Sequence, residues 1–128
     1  MAKSILIVDD NAQIRGLVKK FIESNQDLEV CGEAVDGMDA IEKSRNLKPD
    51  LIILDLSMPR MNGLEVARVL KASSQVPIIL FTNYANEIKP AESEAAGVNA
   101  VCSKGDNIAE LIKPIARLLQ LAYLVSPV

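Results

Sequence analysis

Three short apolar runs punctuate the chain: Ile5 to Val8, Leu51 to Leu54 and Ile78 to Phe81. Each is too short for a helix, rich in Leu or β-branched residues, and followed by polar residues. Unbroken apolar runs of this length suit strands covered on both faces, as in a parallel sheet. Two weaker strands flank them. Leu28 to Ala34 mixes apolar and polar positions as an edge strand would, and Ala100 to Cys102 is brief. Helical patterns fill the gaps. Ile14, Leu17, Val18, Phe21 and Ile22 follow the stripe of a half-buried helix. Gly37 to Leu47 carries Ala40, Ile41, Ser44 and Leu47 on one side and stops before Pro49. Leu64 to Lys71 turns Ala67, Leu70 and the neighbouring valines inward, and a final stretch shows Ile108, Leu111, Ile112, Ile115, Leu118, Leu119 and Ala122.

Five strand–helix alternations predict a doubly wound α/β domain with a five-stranded parallel sheet and right-handed crossovers. Two prolines modify that expectation. An interior Pro loses a hydrogen bond and clashes with the preceding turn, so the fourth helix should start near Pro90, where Pro is tolerated. The fifth, which contains Pro114, should be kinked or begin late.

At 128 residues the chain makes one domain, large enough to bury a proper core. A net charge of -3 argues against direct grip on nucleic-acid phosphates, which needs a basic face. The absence of histidine excludes Ser-His-Asp and Cys-His catalysis, His-ligated zinc and haem. Any chemistry must run on carboxylates, hydroxyls and amines. No apolar run approaches the ~18 residues of a membrane span, and the first residues do not read as a signal peptide. Cys31 and Cys102 lie in apolar stretches and read as buried, reduced thiols of a soluble cytoplasmic protein.

In an open parallel sheet, ligands bind beyond the carboxyl ends of the strands, where strand order reverses. Asp9 and Asp10 follow the first run, Asp55 the second run above, and Thr82 and Asn83 the third; Lys104 follows the last strand. Each has an ordinary explanation. Asp10 or Asn11 could cap a helix, with Asn11 the better candidate. Asp55 could be a loop acid, Lys104 a solvated lysine and Thr82 a strand terminus. Five such residues meeting at one edge are a poor coincidence. Two carboxylates ~5 Å apart repel by roughly 3 kcal/mol at an effective dielectric near 20. Three would need compensating cations, and Lys104 supplies one charge. The all-oxygen remainder invites a hard divalent ion, Mg2+ before others. Such a site suits phosphoryl transfer, with one aspartate as nucleophile.

These residues carry a resemblance. Leu6-Ile7-Val8-Asp9-Asp10, Leu54-Asp55-Leu56-Ser57-Met58-Pro59 with Met61-Asn62-Gly63, Thr82, and Ala96-Gly97-Val98 before Lys104 closely resemble the receiver domain of two-component response regulators, the CheY-like superfamily. The resemblance covers essentially residues 1–128 and implies a flavodoxin-like fold with strand order 2-1-3-4-5. It implies Asp55 as phosphoacceptor, fed by a histidine kinase or phosphotransfer protein. It implies Mg2+, or Mn2+, held by Asp10, Asp55 and the Ser57 backbone carbonyl, with Asp9 acting through a water. Lys104 and Thr82 would contact the phosphoryl oxygens. The domain would phosphorylate and dephosphorylate itself rather than turn over a substrate. Its partners would be the kinase and an output protein, or an effector domain lying beyond residue 128, with residues 122–128 a tail or the start of a linker. Kinase choice would rest on the exposed face of the first helix (Gln13, Arg15, Gly16, Lys19, Lys20), and Ser57 and Tyr84 would tune water access.

Three positions depart from the family pattern. Val101 stands where an aromatic ring usually swings inward, Gly105 replaces the proline after the lysine and should free that loop, and Asn83 replaces a small residue. All lie toward the usual output face. The expectation is retained phosphorylation, with ordering of residues 83–89 replacing an aromatic toggle. The alternative is a divergent receiver that docks proteins without phosphorylation. A flavodoxin-like cofactor binder fits poorly, because Asp9-Asp10 would repel an anion where a phosphate loop is needed.

Overall fold

A computed structural model describes residues 2–121. Five strands, β1 (Lys3–Val8), β2 (Leu28–Ala34), β3 (Leu51–Leu54), β4 (Ile78–Thr82) and β5 (Ala100–Ser103), form one parallel sheet in the order β2-β1-β3-β4-β5. Helices α1 (Ala12–Glu23), α2 (Gly37–Leu47), α3 (Gly63–Lys71), α4 (Pro90–Ala95) and α5 (Ile112–Leu118) follow the strands in turn. This is the flavodoxin-like α/β architecture expected.

The apolar runs feed two cores because successive strand side chains point to opposite faces. Leu6, Val8, Ile52, Leu54, Ile78 and Leu80 bury on one face, against residues of α2 and α3. Ile5, Ile7, Leu51, Ile53, Ile79 and Phe81 bury on the other, with Val18 and Ile22 of α1 and Ile115 of α5. Every residue of β3 and β4 is buried, whereas β2 and β5 are the partly exposed edges.

Local chemistry sets the helix ends. The Asn11 side chain caps α1 by accepting from the Gln13 and Ile14 N–H groups at 2.9 and 3.1 Å. Asn62 and Glu65 form a reciprocal capping box at the start of α3. Pro90 occupies the first turn of α4, as expected. The fifth helical region begins late: residues Ile108–Leu111 make a tighter 3-10 turn and the α-helix starts at Ile112. Pro114 therefore falls in the first turn, where its missing N–H costs no intrahelical bond.

Several expectations change in detail. Leu17, assigned to the inward stripe, is 59% exposed. Leu47 is exposed too, its methyl lying over Gly32 of β2. The last helix ends at Leu118 rather than near Leu121, and Ala122 with the rest of 122–128 lies outside the described residues. Both cysteines are free but only half-buried, and burial pushes both thiols up. They cannot pair with each other. Cys31 and Cys102 lie on the two opposite edge strands, four strand spacings or about 19 Å apart.

Candidate functional site

The chain leaves β1 toward α1 and β2 on one side, and β3 leads to β4 and β5 on the other. The strand order thus reverses between β1 and β3, and the residue after each strand is an aspartate. Parallel pairing aligns them. Val8 pairs with Leu54, and the Asp55 N–H extends the ladder by donating to the Val8 carbonyl at 2.9 Å. Asp9, Asp10 and Asp55 each present a carboxylate oxygen within 4.8 Å of the others. Asp9 and Asp55 are buried and Asp10 is exposed at the rim.

Lys104 closes the group from the far side of the sheet. Its backbone N–H donates to the Thr82 carbonyl at 3.0 Å, fixing it just beyond the β4–β5 ladder. Its ammonium lies 2.7 Å from Asp9 Oδ2 and 3.3 Å from Asp55 Oδ1. Asp9 is held on its other oxygen as well, where Oδ1 accepts the Asn11 N–H at 2.9 Å.

Charge does not balance. Burial, and then the Asp9 carboxylate, raise the Asp55 carboxyl above its ordinary 3.8, while Lys104 and the Ser57 backbone N–H favour its anion. One ammonium against three carboxylates leaves an electronegative pocket, buried at Asp9 and Asp55 and open at Asp10. Its donors are all oxygen, which fits a small hard cation such as Mg2+.

Thr82 ends β4 with its side chain fully buried, and its Oγ1 accepts the Tyr84 N–H at 3.2 Å. Asn83 and Ser57 are exposed, and Tyr84 is about half exposed. The structure therefore brings Asp9, Asp10, Asp55 and Lys104 together and sets Thr82 at the end of the strand beside β3. Val101 is half-buried against the α2–α3 core and lines a groove of about 790 Å³ between the Ala85–Pro90 segment and the start of α5. The segment 83–89 holds a 3-10 turn, Ala85–Glu87. The Gly105 loop keeps ties of its own. The Gly105 N–H donates to Ser103 Oγ at 3.1 Å and the Asp106 N–H to the Ser103 carbonyl at 3.2 Å.

Two contributions were not foreseen. Gly63, the first residue of α3, donates its N–H to the Leu56 carbonyl at 2.8 Å. A Cβ there would overlap the Asp55 carbonyl oxygen, so only glycine lets α3 approach the pocket floor. Arg15, expected on the exposed face of α1 that would set kinase choice, instead turns inward. Its Nη1 donates to the Asp9 carbonyl at 2.7 Å. Gly63 lies in the Met61-Asn62-Gly63 motif, but nothing in the sequence shows that it packs on the Asp55 carbonyl, and Arg15 reads only as an arginine in the second turn.

A doubly wound sheet with clustered carboxylates and one lysine at its carboxyl edge defines the CheY-like class of α/β signalling domains. Residues 5–116 match the family described as response regulator receiver domain, and the chain belongs to that family. It is 42% identical over 97 residues to a protein-glutamate methylesterase/protein-glutamine glutaminase of Pyrococcus abyssi, covering 76% of this chain and 26% of that protein. A protein of the same description from Pseudoalteromonas translucida is 33% identical over 123 residues, 94% of this chain and 32% of its own length. The chain thus spans about a quarter to a third of the length of these relatives. Among solved structures, the response regulator domain of Thermotoga maritima CheB superposes with a TM-score of 0.82 at 28% identity, covering 99% of this chain and 100% of that one. A CheY-like receiver from Methanospirillum hungatei gives 0.84 at 27% identity, over 96% and 98% of the two chains. Among the described residues no helix is long and apolar enough to cross a membrane.

Proposed function

We propose that the domain accepts a phosphoryl group on Asp55 from a phosphohistidine of a kinase or phosphotransfer protein. One observation carries this reading: a largely buried lysine spans Asp9 and Asp55 while an exposed third carboxylate, Asp10, completes the cluster at the rim. Asp55 Oδ would attack phosphorus as the P–N bond to the donor imidazole breaks, and the departing nitrogen would take that electron pair. Asp10, Asp55 and the Ser57 carbonyl would hold Mg2+ or Mn2+, with Asp9 acting through water; bound there, the ion supplies positive charge to the transferring oxygens. Lys104, which bridges Asp9 and Asp55, would contact the same oxygens, and its salt bridges would hold it near them between reactions. The Thr82 hydroxyl would donate to a phosphoryl oxygen. Since Thr82 Oγ1 now accepts the Tyr84 N–H, its reorientation would reposition the 83–89 segment and the α4–β5–α5 face. That segment already holds a turn, so the change would move a built element rather than order a loose one.

The donor would approach over α1. Exposed Leu17 borders a small hollow beside Lys104, offering an apolar contact next to the pocket. In this reading residues 1–128 form one receiver unit in the cytoplasm. Its output is an attached C-terminal domain or a separate protein, with no direct contact to nucleic acid or membrane. The relatives' methylesterase descriptions make an attached effector the first candidate. The chain would carry out self-directed chemistry and turn over no separate substrate.

Acetyl phosphate with Mg2+ tests the assignment by intact mass. The expected result is an adduct of about 80 Da that is lost in Asp55→Asn. A wild-type protein that never gains mass would instead support the phosphorylation-independent docking module, and an adduct surviving Asp55→Asn would move the acceptor elsewhere.

A further inference from the structure

Arg15 stands out among the charged residues because it is neither solvated nor part of the cluster. It lies in the second turn of α1 and its side chain is only 15% exposed. The guanidinium is fixed at two points. Nη1 donates to the Asp9 carbonyl at 2.7 Å, and Nε donates to Glu33 Oε1 on β2 at 3.0 Å. A surface arginine serving solubility needs neither bond.

The Asp9 carbonyl belongs to the peptide that joins Asp9 to Asp10. Sheet pairing holds one side of this residue, since the Asp9 N–H donates to the Ala34 carbonyl at 3.1 Å. Beyond Val8 the β1–β3 ladder has ended, and among the described residues no backbone N–H reaches the Asp9 carbonyl. Arg15 is its donor. The orientation of that peptide plane sets where the Asp10 side chain starts, and Asp10 is exposed with no hydrogen bond of its own among the described residues.

Glu33 completes the arrangement. It lies opposite Ile7 on β2, its other carboxylate oxygen is 3.9 Å from Lys19 Nζ, and its backbone carbonyl accepts from Lys43 Nζ. The carboxylate aims the guanidinium and offsets part of the positive charge that Arg15 and Lys19 bring together. A bare cation beside the cluster would compete with any metal ion placed there.

We propose that Arg15 is a positioning residue for the acidic pair: it locks the Asp9–Asp10 peptide so that Asp10 is preset for a divalent cation, and Glu33 holds the guanidinium in place and offsets part of the positive charge around it. This deepens the receiver reading of the same site and rests on it.

The test is Mg2+ titration of the whole chain, followed by calorimetry or amide shifts, beside the metal-free melting temperature. Arg15→Met should weaken Mg2+ binding about tenfold, the usual lower bound for losing a group that orients a metal ligand. Arg15→Lys, which restores one donor, should recover part of that loss. Glu33→Gln should also weaken binding, but through an exposed charge. Its deficit should shrink as monovalent salt rises, while that of Arg15→Met should not. Both arginine variants binding Mg2+ like the wild type, with only the melting temperature altered, would overturn the proposal and leave Arg15 a structural strut. A wild type that takes up the phosphoryl group keeps the receiver reading alive in that case. A wild type with no Mg2+ affinity would sink the receiver reading, and this one with it.

Discussion

β1 and β3 lead directly into aspartates that are buried and held from several directions, whereas β5 is half-exposed along its whole length. Around Asp9 the backbone N–H, the carbonyl and both carboxylate oxygens each have a protein partner. Around β5 the neighbouring helix α4 is six residues long, and an open groove separates it from the start of α5. On the receiver reading proposed above, the two regions would answer different needs. Phosphoryl chemistry needs groups fixed to fractions of an ångström, because misplacement lowers rate steeply. A region that reports the event needs little holding it in one arrangement, since it must change at the cost of a few bonds. Lys104 and Thr82 lie at the boundary and belong to both.

The sharpest way to break this contrast is to cut the joint. Lys104→Met keeps the side-chain stem but leaves Asp9 and Asp55 buried together without their cation. Removing one partner from a buried pair typically costs about 3 kcal/mol, so the metal-free melting temperature should fall by several degrees. A divalent cation should bind more tightly to the variant, because it no longer competes with an ammonium. The sign of the pH response follows from Asp55, whose carboxyl is raised above 3.8 in the folded chain. The unfolded chain releases this proton first. The stability this group contributes is therefore complete below about pH 4 and is lost as pH rises through the folded value. Denaturant titrations in EDTA across that range should show the decline, and Mg2+ should reverse it at neutral pH. A Lys104→Met protein as stable as wild type without metal would mean that the pocket is wetter than its burial indicates.

The part of this contrast that was legible in the sequence is the part built from periodicity. Uninterrupted Leu51 to Leu54, short and followed by polar residues, suits a strand covered on both faces, so β3 and the edge where Asp55 follows it could be placed in advance. Asn11 as a cap and Pro90 as a helix start needed only local chemistry. What escaped was set by tertiary geometry. Leu17 fits the apolar stripe of α1, yet the sheet beneath is already filled by Ile14, Val18 and Phe21, and nothing local marks the surplus residue. Arg15 sits four residues past the cap, where an arginine is ordinarily solvated. Its partners come from β1 and β2, and only the fold brings them within reach. The room around β5 was equally invisible, because Val101 reads as a good strand residue whether or not anything covers it.

A smaller effect tests the rigid half from below. Gly63→Ala places a methyl group against the Asp55 carbonyl, and neither backbone segment can yield easily. Overpacking of this kind typically costs 1–3 kcal/mol, so about 2 kcal/mol is the expectation by urea unfolding. Because the strained atoms belong to Asp55 itself, phosphoryl uptake from acetyl phosphate should slow as well. Unchanged stability would show that α3 can slide away from the sheet, and that the acidic pocket is less firmly framed than β1 and β3 suggest.

The smallest expected effect lies in the open half. Val101→Tyr adds a ring at the strand position bordering the groove of about 790 Å³, between Ile88 on one wall and Pro114 on the other. A ring forced into a filled core would cost 1–3 kcal/mol. Here it has space on the solvent side and apolar neighbours to lean on, and its hydroxyl can stay in water. The stability change should therefore lie within about 0.5 kcal/mol of zero, as for substitutions away from packed features. The informative quantity is the response of residues 83–89 to phosphorylation, followed by amide shifts with and without acetyl phosphate. On the proposed reading the wild-type segment would move without any ring at position 101. If the same shifts survive in Val101→Tyr, the displacement of Tyr84 from Thr82 is sufficient by itself. If the new ring suppresses them by occupying the groove, the empty space beside Val101 is what leaves the segment free to move. A loss of stability comparable with that of Gly63→Ala would contradict both, since β5 would then be as tightly enclosed as β1 and β3.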